Sequence, residues 1–208
     1  PEKSLTNELG IKTDQKLFSA ALFLYHNALK DLMVNVKSTY QGRDSIDGVQ
    51  VYTRENAGKA YIQGVEGELW LRPARMVSLQ AYLIYTYGQN VTGNEPLRRI
   101  PPLNGLLGLH LHLIRNFDII PEWQFAGKQT RLSSGDQDDS RIPDGGTPAW
   151  NVINLRFSYR MAGFRVNAGL LNLFDTAYRT HGSGVDEVGR SIYFSLMYSF
   201  ESVFHKTE

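Results

Sequence analysis

Alternation of apolar and polar side chains with a period of two runs through most of the chain and limits its fold more than any other feature. Residues 106–113, LLGLHLHL, show it most clearly, with leucine at every second position from Leu107 and with Gly108, His110 and His112 in between. Successive side chains of a strand point to opposite faces, so this pattern predicts a strand with one apolar and one polar face. Nine strands are predicted in this way, over residues 4–13, 17–36, 60–71, 77–87, 106–113, 117–130, 150–160, 164–174 and 190–200.

The connections between the predicted strands alternate strictly between short and long. The short ones are TDQK, RPAR, RNF and MAGF, and the long ones span about residues 37–59, 88–104, 131–148 and 175–189. Alternate turns of consecutive antiparallel strands lie at opposite ends of the sheet, so all the short turns share one end. This is the layout of outer-membrane barrels. The sequence therefore predicts an all-β fold: an antiparallel up-and-down transmembrane β-barrel segment with short periplasmic turns and long extracellular loops.

The charged side chains respect the two faces of the predicted strands. From the third to the seventh strand the apolar face carries no Asp, Glu, Lys or Arg, and a Lys or Arg on a lipid-facing position costs about 2–4 kcal/mol at the bilayer midplane. We therefore expect the leucines to face lipid and Glu66, Glu68, His110 and His112 to face the barrel interior. The alternative is a soluble β-sandwich with one solvated face, and the segregation of the loops counts against it.

Composition excludes several classes of protein. The chain has 22 Lys and Arg against 21 Asp and Glu, so the charge balance gives no support for a nucleic-acid surface. Cysteine is absent, which excludes disulfides and thiolate metal sites. The GSG at 182–184 lacks the lysine of a phosphate loop, and the closeness of Ser183, His181 and Asp186 in sequence does not indicate a hydrolytic triad. We expect neither an enzyme nor a bound cofactor.

Several stretches resemble the C-terminal half of TonB-dependent outer-membrane receptors. They are PEKSLTNELGIKT, YIQGVEGEL, PLRRIPPLNGLLG, RIPDGGTPAWNVINLRFSY, NLFDTAYRTHGSG and GRSIYFSLMYSF, and together they cover almost the whole chain. The resemblance implies a barrel of about 22 strands with a plugged lumen. Residues 1–200 would be the last nine strands of this barrel, residues 201–208 a C-terminal tail, and the chain a fragment of a larger receptor.

The resemblance also implies a function and a set of partners. Receptors of this family sit in the bacterial outer membrane and take up a scarce nutrient, usually a ferric siderophore, haem or cobalamin. The energy reaches them from the TonB complex through an N-terminal plug. The expected partners are therefore TonB, outer-membrane lipids and a small ligand such as an iron chelate. A passive porin or a small self-contained barrel is the alternative.

In this family the final residue is commonly an aromatic that the assembly machinery recognises. Phe200 matches that position, but ESVFHKTE follows it, and Phe204 is a second candidate that also does not end the chain. We therefore expect the assembly signal at Phe200.

Arginines in the predicted loops are the candidates for binding an anionic ligand, because a guanidinium matches carboxylate and chelate oxygens in a planar fork. Pairing with loop aspartates is the more favoured interpretation, since the charges are nearly balanced. For His110 and His112, contact with haem or a metal is weighed against contact with the plug or water, and the second is favoured. The loop arginines are Arg98, Arg99, Arg131, Arg141, Arg179 and Arg190.

The segment SSGDQDDSRIPDGG, residues 133–146, is rich in aspartate. Asp136, Asp138 and Asp139 form a weak candidate site for Ca²⁺, which prefers oxygen ligands. The segment does not fit an EF-hand, because Arg141 and Thr147 occupy the positions that require Gly and Glu. A solvated turn is the favoured interpretation.

Overall fold

The computed structural model describes residues 2–56, 58–114 and 116–200, with no account of the side chains of residues 34, 35, 55 and 56. The elements in chain order are β1 (Lys3–Asp14), β2 (Phe18–Lys30), β3 (Met33–Lys37), β4 (Ser45–Ile46), β5 (Val49–Gln50), β6 (Tyr52–Asn56), β7 (Lys59–Ala74), β8 (Val77–Asn90), β9 (Glu95–Pro96), β10 (Asn104–Ile114), β11 (Phe117–Ala126), α1 (Ser134–Gln137), β12 (Trp150–Met161), β13 (Phe164–Leu171) and β14 (Ser191–Tyr198).

One antiparallel sheet contains all nine predicted strands, in the order β1-β2-β7-β8-β10-β11-β12-β13-β14, with β9 added beside β8. The predicted all-β fold and its up-and-down order are therefore confirmed. Within the described residues β1 and β14 are the edges of this sheet and do not pair with each other. The described strands thus form an open wall and not a small closed barrel. No described helix is long and apolar enough to span a membrane.

The second strand was predicted to run to residue 36, and this is wrong. β2 ends at Lys30, where Asp31 takes a left-handed backbone with φ of 58°. Residues Met33–Lys37 pair instead with Tyr52–Asn56, which forms a separate hairpin outside the main sheet. The alternation of VNV continued the pattern across this break. Other strand ends differ by a few residues: β11 ends at Ala126 and β13 at Leu171.

The short and long connections lie at opposite ends of the sheet, as predicted. Between β12 and β13 the turn has φ of 46° at Ala162 and 85° at Gly163, two positive values that suit a tight hairpin between twisted strands. The long connections span residues 31–58, 91–103, 127–149 and 172–190. We call the two ends of the sheet the short-turn end and the long-loop end.

The apolar face of the sheet is exposed, as is expected of a barrel wall that faces lipid. Leu9, Leu24 and Leu107 lie on it and are 66%, 43% and 37% exposed. A soluble sheet would bury such a face against a second layer, and no described element covers it. Among the described residues of the nine strands, Lys3, Lys30 and Lys59 are the only side chains of Asp, Glu, Lys or Arg that the pairing register places on this face.

Aromatic side chains form two rows on the apolar face. Near the long-loop end the rings of His26 and Tyr61 stack with centroids 5.5 Å apart, and those of Tyr61 and Tyr87 with centroids 6.1 Å apart. Near the short-turn end Phe117 stacks on Phe157 and Phe164 packs against Tyr198. An apolar band between two aromatic girdles is typical of an outer-membrane barrel.

Candidate ligand-binding site at the long-loop end

The most deeply buried polar side chains lie in the loops at the long-loop end. Ser133 caps the short helix α1: its hydroxyl accepts from the Asp136 backbone N–H, while the Asp136 carboxylate accepts from the Ser133 N–H. This reciprocal capping box satisfies two backbone donors. Asp136 is only 1% exposed and also accepts from the backbone N–H of Arg99. The segment 133–146 therefore combines buried side chains at Ser133, Asp136 and Asp139 with exposed ones such as Asp138 and Asp144, so only part of it is the solvated turn that was predicted.

Asp139 is the centre of this loop cluster, which we define as residues 91–103, 127–149 and 172–190. Its carboxylate is 5% exposed and accepts from the guanidinium groups of Arg98, Arg99 and Arg141 at 2.7, 3.2 and 2.7 Å. The arginine side chains themselves are 46%, 46% and 39% exposed. One buried carboxylate thus joins two loops and holds three half-exposed cations in one place.

The other predicted arginines have different partners. Arg131 donates to the backbone oxygen of Gly88 at 2.7 Å, donates to Gln89 and stacks on the ring of Tyr87. Arg179 pairs with the exposed Asp186 at 2.7 Å. The backbone N–H of Arg190 donates to Asp175. The favoured pairing with loop aspartates is therefore present for Arg98, Arg99, Arg141 and Arg179, while a role in binding a ligand stays a prediction for all six arginines.

The last long loop docks onto the same cluster. The ring of Tyr178 packs against Trp150 with centroids 4.6 Å apart, and Nδ1 of His181 shares a hydrogen bond of 2.8 Å with the Thr147 hydroxyl. Burial lowers the pKa of His181 below its ordinary value, against the opposing effect of Asp136 and Asp139. Burial, together with the charge of Glu187, raises the pKa of Tyr178.

A cavity of about 630 Å³ opens beside the arginines. Its floor includes Leu29 and Ile62 from the polar face of the sheet, and its rim includes Tyr52, Arg54 and Arg98. Arg54 is exposed and, among the described side chains, makes no ion pair. Sequence reasoning missed Tyr52 and Arg54, because VYTREN was read as part of a long loop and carried no motif.

The acidic groups of this cavity already have partners. The Tyr52 hydroxyl donates to Asp138, and this bond, the largest cause, raises the pKa of Tyr52. Glu2 accepts from the backbone N–H of Met33 at 2.8 Å, and Glu95 accepts from that of Ser134 at 2.8 Å. These hydrogen bonds tie the carboxylates to the cavity walls, while Arg54, which also lines the cavity, is exposed.

The predicted interior residues lie on the polar face of the sheet, well below the cavity. His112 pairs with Asp118, and the ring of His110 lies 5.0 Å from that of Trp70. Glu68 accepts from the indole of Trp70 at 3.2 Å, and Glu66 shares its face. Contact of the histidines with a ligand stays a prediction, as does the favoured contact with a plug.

The weak calcium hypothesis is not supported by the geometry. Asp136, Asp138 and Asp139 are engaged by a helix cap, a tyrosine and three arginines, so their carboxylates do not converge. Among the described residues, no three His, Cys, Asp or Glu side chains are grouped so that they could hold a metal ion. Nor do Ser183, His181 and Asp186 assemble, since they bond to Val185, Thr147 and Arg179 respectively.

Comparison with known proteins agrees with this architecture. A family model described as "TonB dependent receptor-like, beta-barrel" matches residues 1–173. The chain belongs to this family. A curated relative, the probable TonB-dependent siderophore receptor PirA of Acinetobacter baumannii, is 27% identical over 234 aligned residues, which cover 96% of this chain and 30% of the relative.

Solved structures share the fold. The copper transporter OprC superposes with a TM-score of 0.82 at 22% identity, over 96% of this chain and 31% of OprC. The ferric enterobactin receptor PfeA of Pseudomonas aeruginosa, as a mutant in complex with enterobactin, gives 0.73 at 23% identity, over 96% and 32%. The siderophore receptor PirA of Acinetobacter baumannii gives 0.70 at 24% identity, over 96% and 32%. The chain thus spans about a third of the length of these proteins.

Proposed function

We propose that residues 1–200 are the C-terminal barrel portion of a bacterial outer-membrane receptor that takes up an iron chelate with energy from the TonB complex. Membership of the TonB-dependent receptor family supports the coupling to TonB. The exposed apolar face between two aromatic rows supports a location in lipid. In that orientation the short-turn end faces the periplasm, and the loop cluster faces the outside, where a nutrient would arrive.

The observation that carries the ligand class is the convergence of Arg98, Arg99 and Arg141 on Asp139. Three guanidinium groups surround one buried carboxylate, and counting Asp136 beside them still leaves one positive charge in excess. Each guanidinium has five N–H donors, so those not used on Asp139 remain available for oxygen ligands. A half-exposed cluster of preorganised cations, of which Arg98 lines the cavity, suits an anionic chelate.

A metal that arrives already chelated fits the described residues better than a bare ion does. A siderophore supplies the oxygen ligands of its iron, so the receptor needs donors for the chelate and no metal site of its own. The cavity is lined by Tyr52, Arg54 and Arg98 and by three carboxylates that already accept hydrogen bonds, those of Glu2, Glu95 and Asp138. The two guanidinium groups are the lining side chains that suit an oxygen-rich anion. Haem is less supported, because His110 and His112 lie on the sheet below the loops. The curated relative is also named a siderophore receptor.

The test is binding of ferric enterobactin to the whole receptor purified in detergent, followed by quenching of tryptophan fluorescence. We expect saturable binding that weakens at least tenfold in Arg98→Gln. Arg75→Gln is the matched control, because Arg75 is an exposed arginine in the short turn between β7 and β8, at the opposite end of the sheet. Binding of free Cu²⁺ without any ferric chelate would reject the proposed ligand class. A steady ionic current in lipid bilayers without ligand would favour the passive porin.

A further inference from the structure

Three lysines lie side by side on the outward, apolar face at the long-loop end. Lys3 of β1 is the direct partner of Lys30 of β2, and Lys30 is the direct partner of Lys59 of β7. All three are exposed. We call Lys3, Lys30 and Lys59 the outer basic row. It faces away from the cavity and takes no part in the proposed ligand site.

The row is costly unless an anion neutralises it. Directly opposed side chains on neighbouring strands have Cβ atoms about 4.5–5.5 Å apart, and like charges in such pairs are destabilising. None of the three ammonium groups makes an ion pair with a described side chain. The other described side chains on this face are uncharged, and most are aliphatic or aromatic, so three adjacent cations indicate a change in the surroundings of the wall at this level.

The position of the row along the barrel axis shows where it lies relative to the apolar band of the wall. The 13-residue strand β2 rises about 40 Å from Phe18 to Lys30, or about 31 Å along the barrel axis at a tilt near 40°. The apolar band of an outer-membrane barrel is about 25 Å tall, so Lys30 lies beyond its edge when Phe18 marks the opposite edge.

The aromatic row below the lysines supports the same level. Tyr61 follows Lys59 by two residues on β7, so it lies on the same face one step nearer the short-turn end. Its ring stacks between those of His26 and Tyr87. Tyrosine is enriched where hydrocarbon meets head groups. The guanidinium of Arg131 lies over Tyr87, 3.8 Å from the ring centroid, and extends the positive charge along this boundary.

We infer that the outer basic row binds the phosphorylated head groups of lipids in the outer leaflet. This inference rests on the proposed location of the chain in an outer-membrane barrel. Each lysine offers three rotatable N–H donors on a flexible stem, which suits phosphate groups that arrive in several orientations. Charge complementarity at the level of the head groups favours a lipid phosphate over a soluble one, because the lipid tail packs on the apolar face directly below.

The experiment titrates the whole receptor in detergent with dioleoyl phosphatidic acid and counts bound lipid by native mass spectrometry. We expect the triple variant Lys3→Gln, Lys30→Gln, Lys59→Gln to bind at least tenfold more weakly. The control is Lys12→Gln, Lys16→Gln, Arg75→Gln, which removes the same charge away from both the row and the loop cluster and should bind as the wild type does. The heat-dependent gel shift of a folded barrel checks that both variants fold.

The outcomes separate this inference from the proposed function. Equal loss of lipid in both triple variants, or displacement of the lipid by an equal concentration of inorganic phosphate, would overturn the inference. Ferric enterobactin binding is measured in parallel and should be unchanged in both variants. Lipid bound through the row without any ferric chelate binding would keep the inference and reject the ligand. A protein found only in soluble fractions would reject both.

Discussion

The sheet exposes apolar side chains on its outer face, whereas the loop cluster buries charged ones. Leu9, Leu24 and Leu107 are exposed on the outer face of the sheet. In the loop cluster, Asp136 and Asp139 are only 1% and 8% exposed as whole residues. The five buried hydrophobic residues of the described part of the chain also lie at the long-loop end or directly beneath it: Ala60, Ile100, Ala126, Ile142 and Val152.

The difference matches the surroundings that we propose for the two regions, lipid for the sheet and water for the loop cluster. A wall in hydrocarbon needs no apolar core, because lipid supplies apolar contacts, but its backbone must be fully paired within the sheet. A loop cluster in water has no apolar solvent around it, so hydrogen bonds and ion pairs must hold its conformation. The ordered loops can then hold arginines in place for a ligand, which an unpaired loop would not do.

The largest expected effect comes from placing a charge on the lipid face of the wall. Leu107→Arg should destabilise the folded barrel in lipid by about 2–4 kcal/mol, because the guanidinium would enter hydrocarbon. Leu106→Arg changes the next residue, which faces the interior beside Tyr82 and Gln124, and should cost far less. Urea unfolding of the whole receptor in lipid vesicles measures both. If the two variants cost the same, the assignment of the faces is wrong.

Removing the centre of the loop cluster should have the second largest effect. Asp139→Ala leaves three guanidinium groups without their buried partner. Loss of one member of a buried pair costs about 3–5 kcal/mol, and the half exposure of these arginines to water reduces the expected cost to about 2 kcal/mol. Proteolysis of residues 127–149 should become faster, while the unfolding of the wall should not change.

Asp186→Ala provides the matched comparison for this variant. Its pair with Arg179 is exposed, and exposed pairs contribute about 0–1 kcal/mol. We expect proteolysis of the loops to stay close to that of the wild type. A loss of wall stability in Asp139→Ala would contradict the separation of the two regions.

The same difference explains which features could be predicted from sequence. A wall obeys one local rule, alternation with a period of two, and all nine strands followed from it. The exception at residues 31–37 arose because VNV alternates in a hairpin outside the wall as it would within it. The contacts of the loop cluster join residues far apart in the chain: Arg98 is 41 residues from Asp139. The choice of Asp139 over its neighbours depends on packing, and no spacing rule encodes it.

The capping box should matter less than the ion cluster, although it lies in the same loop. Ser133→Ala removes the hydroxyl that accepts from the Asp136 N–H, and loss of an N-cap costs about 1 kcal/mol. We expect faster hydrogen exchange at residues 134–137 and a modest loss of affinity for the ferric chelate. Ser134→Ala keeps the cap and should exchange as the wild type does. Equal exchange in both variants would show that the cap does not order the helix.

The smallest expected effect is a dependence of loop docking on pH. Burial lowers the pKa of His181 below its ordinary value of 6.5, so the docked loop binds a proton less readily than the undocked one. Its contribution to docking is complete above about pH 6.5 and is lost as the pH falls through the lower pKa of the docked state. Proteolysis of residues 172–190 should therefore quicken as the pH falls below about 6.5. His181→Gln should abolish this change and His26→Gln, on the outer face, should not. If His181→Gln kept the full pH dependence, another group would control the docking of this loop.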